Sequence, residues 1–538
     1  CIFIKKDLSY IDSNISNHLP NITLDYINDE KKLNSFYNRF NKIENYKNQL
    51  NEKINHYNDN FRTVLSNQLE KQYESVTDKS LQIKLIADLK LKNSFTVTTG
   101  HQLNLFTGPL YFFYKIIDTI IICKKLKKKY PKYNFIPVFW MASEDHDFDE
   151  INYFNYDKKK FSWDISHGGP VGRLKTKGLE NVLSEMKNYL DFTDQKELIT
   201  LFETSYLKHK NLSLATLNLV HSLFGKHGLL ILEPDNKHLK KLFSEIIIDE
   251  LLNNTLNKNI LNTNNELNTV FENSYSPQVN SREINLFYIK DNLRARIEKI
   301  GDVFSVLDTN ISFTQSEIVN EVNNHPERFS PNALLRPVYQ EFILPNLAYV
   351  GGGSEIAYWL QLKEYFNFKK ITFPILSVRS SVLFVSKKQV EKCKKLKMSI
   401  IDLFENPVNL KKLYLRKNSK ITIDLTIQKN IIKENFSNFY ELTKLTDKSF
   451  LGAVKAQETK QIKGIENLEK RLIRAEKRVH LDKLLRLINL KNELFPNDSF
   501  QERQVNFSTF FNPNEFDFVN VLIKNIDPFK KEFLILEF

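Results

Sequence analysis

The stretch Phe135–Asn152, FIPVFWMASEDHDFDEIN, is apolar and rich in β-formers as far as Met141, then meets five carboxylates and a histidine between Glu144 and Glu150. The first part reads as a buried strand. The second demands positive charge nearby. Two like charges 4 Å apart repel by about 1 kcal/mol in water and several times that near a protein surface, so packing alone would not gather Glu144, Asp145, Asp147, Asp149 and Glu150.

Working backward, Phe95–Thr99 (FTVTT) is a short strand, followed by the turn GHQLNLFTGP and an apolar helix from about Pro109 to Leu126. Pro109 suits a first helical turn, where its missing N–H costs nothing. Residues 95–141 therefore read as one β–α–β unit with a right-handed crossover, which makes the sheet parallel and the fold α/β. Working forward, a helix over 211–226 precedes the strand Leu229–Leu232 (LLIL), which ends at Glu233-Pro234-Asp235, and another helix follows over 237–254. Phe342–Val350 reads as extended and leads into GGGSEIAYWLQLKEYF, and Ile371–Leu376 (ITFPIL) reads as a further strand. The chemically rich turns follow the carboxyl ends of predicted strands, the edge where open α/β sheets bind ligands.

Three turns carry the candidate chemistry. In Gly100-His101-Gln102 through Thr107-Gly108-Pro109, glycines admit a close ligand and a helix N-terminus offers free amides, an arrangement suited to phosphate or carboxylate; a plain strand-to-helix turn is the alternative. In Ser143–Glu150, the carboxylates could hold a divalent cation, bind an ammonium or act as general base. Gly351-Gly352-Gly353-Ser354-Glu355 reads as a second anion cradle, or simply as a helix N-cap. Arg336 and Arg379 are the arginines suited to bidentate carboxylate recognition. No HExxH or comparable ligand spacing occurs among His101, His167, His221, His227 and His325, and no metal ligands are assigned.

Composition narrows the classes. The 538 residues are 41% hydrophobic and 26% charged, enough to bury several cores and too apolar for a disordered chain. The net charge of +13, with local clusters at Lys124–Lys129 and Lys158–Lys160, would permit nucleic-acid contact. Basic residues are instead spread along the whole chain without a helix-turn-helix, RNP or zinc-finger pattern, so a solvated basic surface is expected and no nucleic-acid partner. Cys1, Cys123 and Cys393 are odd in number and lack CxxC spacing, which suits a reducing cytosol. No apolar run reaches the roughly 18 residues of a membrane span; Ile116–Cys123 is short and interrupted by Asp118. A soluble, cytoplasmic protein is expected, although the chain begins at Cys1 rather than at Met.

Beyond 385 the character changes. Ile465, Leu468, Leu472, Ala475 and Val479 recur at alternating spacings of three and four, and Leu481, Leu484 and Ile488 continue after a phase shift. A helix over 455–494 would reach roughly 60 Å, so it must pack along a partner chain as a dimer or fold back on 427–444 as a hairpin.

Taken in order, TGHQLNLFTGPLYFFYK, FIPVFWMASEDHDFDEIN, FGKHGLLILEPD, LRPVYQEFILPNLAYVGGGSEIAYWLQLK and LFPNDSFQERQVNF resemble the bacillithiol biosynthesis cysteine-adding enzyme family across nearly the whole chain. The resemblance implies a Rossmann-like parallel-sheet core with inserted connecting peptides and an α-helical coiled-coil domain that dimerises. The chain then divides into a helical lead-in over 1–90, a core over 91–254 and 336–384 interrupted by a smaller insertion over 255–335, a coiled-coil domain over 385–494, and a segment 495–538 returning to the core. It further implies ligation of cysteine to glucosaminyl-malate, with activation by ATP and Mg expected because a free carboxylate does not condense with an amine unaided. On this reading Glu144, Asp145, His146 and Asp147 hold the cysteine ammonium or take the amine's proton, and the glycine turns hold anionic groups. Two departures stand out: family members often carry Gln where this chain has His101, and many read GGPGE across Gly353-Ser354. A metal-dependent hydrolase built on EDHDFDE, or a non-catalytic coiled-coil assembly protein, are the competing readings.

Overall fold

A computed structural model describes residues 8–16, 18–157, 159–190, 195–511 and 517–538; Cys1 and Lys158, used above, lie outside them. By contacts the chain forms two compact units, one of Asp12–Val382 with Glu502–Leu534, the other of Leu383–Gln501 with 8–11 and Ile535–Phe538.

The first unit is organised by the β–α–β segment. β1 (Ser94–His101) is buried at every position, α1 (Tyr111–Lys129) crosses over, and β2 (Asn134–Met141) returns parallel to β1, with Ser94 opposite Asn134 and His101 opposite Met141. After α2 (Leu212–Phe224) comes β3 (Leu230–Leu232), parallel to β2. An inserted antiparallel sheet follows: β4 (Leu286–Lys290), β5 (Leu293–Ile300), β6 (Val303–Val306), β7 (Ser312–Thr314) and β8 (Phe329–Pro331), in the order β7-β6-β5-β4-β8. The chain then re-enters the parallel sheet through α3 (Arg336–Ile343), β9 (Asn346–Gly351), α4 (Gly353–Leu360) and β10 (Ile375–Val378).

The parallel sheet has the order β3-β2-β1-β9-β10. The chain builds outward from β1 on one side, then returns to add β9 and β10 on the other, so the Rossmann-like switch point falls between β1 and β9. Burial on both faces accounts for the continuous apolar runs in β2 and β9.

Several boundaries differ from the sequence reading, each for a local reason. Phe342 and Ile343 close α3 rather than open a strand; Pro345 then forces Leu344 into an extended conformation at ψ 140°. The predicted strand at 371–376 begins only at Ile375, after Pro374, which has no N–H for a ladder. The helix expected over 237–254 is two, Lys237–Leu242 and Ser244–Asn253, meeting at Phe243.

The second unit holds α5 (Thr426–Thr443), α6 (Ser449–Val479) and α7 (Leu481–Leu494). The single long helix over 455–494 is interrupted at His480, where φ is −102° and ψ 14°, at the phase shift in the apolar pattern. α5 folds back on α6 as a hairpin: Lys429 pairs with Glu469 at 3.1 Å, and the amide of Leu425 donates to the same carboxylate at 3.1 Å. Among the described residues no helix is long and apolar enough to cross a membrane.

Candidate active site at the carboxyl edge of the parallel sheet

A cavity of about 390 Å³ opens where β2 and β3 end, bounded on the sheet side by Trp140, Ala142, Glu144 and Asp145. A second, of about 240 Å³, lies at the switch point, bounded by Gly100, His101, Gln102, Lys115 and Glu355. Trp140, Ala142, Arg336 and Tyr358 border both, so the two form one trough.

The acidic segment does not stay together. Consecutive turn residues point in different directions, so Glu144 parts from the others while Asp145 and Glu150 share a partner. Glu144 is buried and pairs with Lys240, which also donates to the carbonyl of Phe329 on β8 at 2.8 Å. Burial pushes the Glu144 carboxyl upward, and the Lys240 charge opposes this. Asp145 faces the trough. Burial alone would raise it, but hydrogen bonds from His146 and from Gln102 Nε2 (2.9 Å), with the Arg294 charge, hold it well below the usual carboxylate range. His146 is half-exposed and its Nδ1 accepts from Arg294 Nη1 at 2.7 Å. Asp147 and Asp149 are exposed and border neither cavity. Glu150 accepts from Gln102 Nε2 at 2.8 Å, so one amide clamps two carboxylates. Among the described residues no three His, Cys, Asp or Glu side chains gather as a metal site; the charge that suggested a metal-centred hydrolase is dispersed.

Neither glycine turn is an open anion cradle. Around Gly108, Asn506 Nδ2 donates to the carbonyls of Phe106 and Gly108 at 2.7 and 2.5 Å, and the amide of Leu110 donates to Val505 at 2.9 Å. The returning C-terminal segment therefore takes up the polar groups of this turn. Thr107 Oγ1 is buried with no partner among the described residues and Thr107 borders neither trough cavity, while Gly108 borders an adjoining side cavity of about 290 Å³. At the other turn the N-cap is Gly352 rather than Ser354, which is exposed within the helix. The Gly352 amide donates to Glu355 Oε1 at 3.2 Å, Gly353 is packed against Leu19 and Pro20, and its carbonyl accepts from Thr23. Gly351 is hemmed in as well, since a Cβ there would lie 2.9 Å from Tyr349. The chain's own carboxylate and N-terminal segment fill the place foreseen for a ligand anion.

At the switch point, Lys115 pairs with Glu355 and donates to the Gly100 carbonyl at 2.9 Å; Tyr349 OH donates to the other Glu355 oxygen at 2.6 Å. His101 lies between the rings of Tyr111 and Phe112, with Nδ1 placed 3.0 Å from the Gln102 carbonyl. Burial, reinforced by Lys115, pushes His101 down to about 3, so the ring is neutral, Nδ1–H donates to the carbonyl and Nε2 is an acceptor. Arg336 stands at the junction of the two cavities, braced by Gln340 at 3.0 Å. Arg379 does not reach the trough. Its guanidinium is held bidentately by Glu502 at 3.0 and 2.7 Å and also donates to the Ser380 carbonyl, so it cannot serve as the carboxylate clamp expected of it.

The positive charge that the acidic stretch called for comes mainly from the insertion. Arg282, Arg294 and Arg296 border the larger cavity together with Asp145, and the Arg294 charge acts on Asp145 directly. Arg294 lies over the Phe287 ring at 3.8 Å, and its buried Nε has no hydrogen-bond partner among the described residues. The sequence reading passed over these arginines because 255–335 looked mixed and polar. The usable signal was the i, i+2 spacing of Arg294 and Arg296, which places both on one face of a strand.

The whole chain matches one family. "Bacillithiol biosynthesis BshC, N-terminal Rossmann-like domain" matches residues 7–380, and "Bacillithiol biosynthesis BshC, C-terminal coiled-coil domain" matches 382–538. A relative from Flavobacterium johnsoniae is 49% identical over 522 residues, covering 97% of this chain and 98% of the relative. One from Flavobacterium psychrophilum is 47% identical with the same coverage, and one from Natranaerobius thermophilus is 28% identical over 89% of this chain and 90% of its own. Each carries the name "Putative cysteine ligase BshC". The chain belongs to the bacillithiol biosynthesis BshC family.

Proposed function

We propose that this protein is a ligase that joins the carboxyl group of cysteine to the amine of glucosaminyl-malate, the last step of bacillithiol biosynthesis. The observation that carries this reading is the polarity of the larger cavity, whose lining combines Arg282, Arg294 and Arg296 with Asp145, a carboxylate held well below its usual range. A substrate with two carboxylates at one end and an amine at the other matches that polarity. The malyl carboxylates meet the guanidinium groups, which can bind them bidentately, and Asp145 pairs with the amine in its ammonium form, which gives up a proton to another acceptor before it attacks.

The depressed Asp145 favours one of the two roles foreseen for it. A carboxylate held that far below its usual range is a weak base, so it serves to pair with an ammonium and orient it rather than to remove its proton. His101, neutral and with its Nδ1–H already committed, offers Nε2 as an acceptor for a donor on the reacting groups. Lys115 and Arg336 are the cations at the switch point, and their charge fits the phosphates of ATP with its Mg. When bound, the nucleotide would supply a leaving group on the cysteine carboxyl.

We also read the α5–α6 hairpin as a homodimer surface. α5 has no buried residue, and Ile427, Ile431 and Leu442 on it are at least half exposed. The described cysteines, Cys123 and Cys393, are free and buried, which suits the cytoplasm. The deciding experiment is incubation of the purified protein with cysteine, glucosaminyl-malate and ATP, followed by mass spectrometry. A thiol product with AMP or ADP supports the reading; unchanged substrates in the presence of ATP and Mg overturn it.

A further inference from the structure

At the opposite, amino-terminal edge of the parallel sheet lies a cavity of about 210 Å³ for which the ligation chemistry has no use. It is bounded by Lys53 and His56 at the end of the helix Tyr46–His56, by Glu341 on α3, and by Lys370 and Thr372 ahead of β10. Two buried charged groups face each other there without completing each other. Lys53 is 2% exposed; among the described residues its ammonium donates one long hydrogen bond, to the Glu341 carbonyl at 3.3 Å, and stands 3.9 Å from Glu341 Oε2. Glu341 is 1% exposed; its Oε1 accepts from Gln340 at 2.8 Å and from Asn346 at 2.7 Å, while Oε2 is buried with no hydrogen-bond partner among the described residues.

An ammonium carries three donors, and a buried donor or acceptor left unmet is costly. The cavity is several times one water's share of volume, about 30 Å³, and the exposed His56, Asn58 and Lys370 form its rim. Lys369 is already held by Asp249, so Lys53 and Lys370 supply the cationic side. The missing partner must offer an anionic acceptor to Lys53 and, beside it, a donor to Glu341 Oε2. A carboxylate with an adjacent hydroxyl or amino group has this form.

The same carboxylate is wired to the trough. Gln340, which donates to Glu341 Oε1, accepts from Arg336 Nη1 at 3.0 Å, and Arg336 borders both trough cavities. We propose that the cavity at Lys53 and Glu341 is a second small-molecule site, for a compact carboxylate bearing an adjacent hydrogen-bond donor, and that its occupancy acts on the trough through Glu341, Gln340 and Arg336. The relay half of this proposal rests on the trough being the substrate site; the binding half does not.

The binding half is tested by calorimetric titration of the full chain carrying Arg294→Gln, which weakens competing carboxylate binding in the trough, using L-malate as probe. One binding event is expected, lost when Lys53→Met is added and several-fold weaker for succinate, which lacks the hydroxyl. No binding, or a titration unchanged by Lys53→Met, overturns it. Should Lys53→Met fail to fold, Lys370→Ala at the exposed rim must weaken binding several-fold, and unchanged affinity overturns the site. For the relay, coupling between the sites requires malate in the far site to shift the Kd for glucosaminyl-malate. A few-fold shift abolished by both Lys53→Met and Gln340→Met supports the relay. A shift that survives Lys53→Met is competition within the trough and removes it. An inactive protein that still binds malate through Lys53 would sink the ligase reading while leaving the site intact.

Discussion

Glu144 and Asp145 are neighbours with opposite electrostatic fates, because one side chain turns inward to Lys240 and the other meets Gln102, His146 and Arg294. Their tests therefore differ in kind. Lys240→Met strands a buried carboxylate and is expected to cost about 3–5 kcal/mol of stability, read from urea unfolding midpoints. Arg294→Gln removes a charged donor facing the trough and should raise the KM for glucosaminyl-malate roughly 10–100-fold, the equivalent of one charge-assisted hydrogen bond, with kcat changing far less. His101 makes a pH prediction. Its folded value of about 3 lies below the ordinary 6.5, so the unfolded chain binds the extra proton. The contribution of neutral His101 is complete above pH 6.5 and is lost as pH falls toward 3, at up to about 1.4 kcal/mol per pH unit. His101→Gln should flatten that part of the stability profile between pH 6 and 4, and an unchanged slope would show that the ring is not held neutral.

Among the elements, turns and breaks carry more information than the regular segments. Proline set two boundaries that hydrophobicity alone misplaced, at Leu344-Pro345 and at Pro374. Gly108 sits at φ 61° and ψ −139°, and a Cβ there would lie 2.7 Å from Asn104 Cβ. Gly108→Ala is therefore expected to destabilise the protein by at least about 1–3 kcal/mol from backbone strain alone, visible as a lowered thermal midpoint. The strand ends were legible because β-branched and aromatic runs stop at polar turns. What fills those turns was not. Asn506 and Glu502 come from the far end of the chain to hold the first glycine turn and Arg379, and no local pattern announces contacts that span so much sequence.

For the whole molecule, the exposed apolar positions of α5 predict an assembly measurable by light scattering. Ile431→Glu with Leu442→Glu should convert a dimer to a monomer while circular dichroism keeps its helical signal; a wild-type monomer at micromolar concentration would remove the interface. Family, α/β class and parallel sheet were legible in the sequence, because strand composition, turn residues and motif order are local properties. The hairpin of the second unit was foreseen only as one of two arrangements, since an apolar heptad seam does not say which helix will cover it. Tertiary structure alone decided which charges meet: the inserted sheet brings Arg294 to Asp145, Lys240 withdraws Glu144, and Glu502 withdraws Arg379. Charge is written residue by residue, but its partner, its burial and hence its chemistry are set by which distant segments the fold brings within a few ångströms.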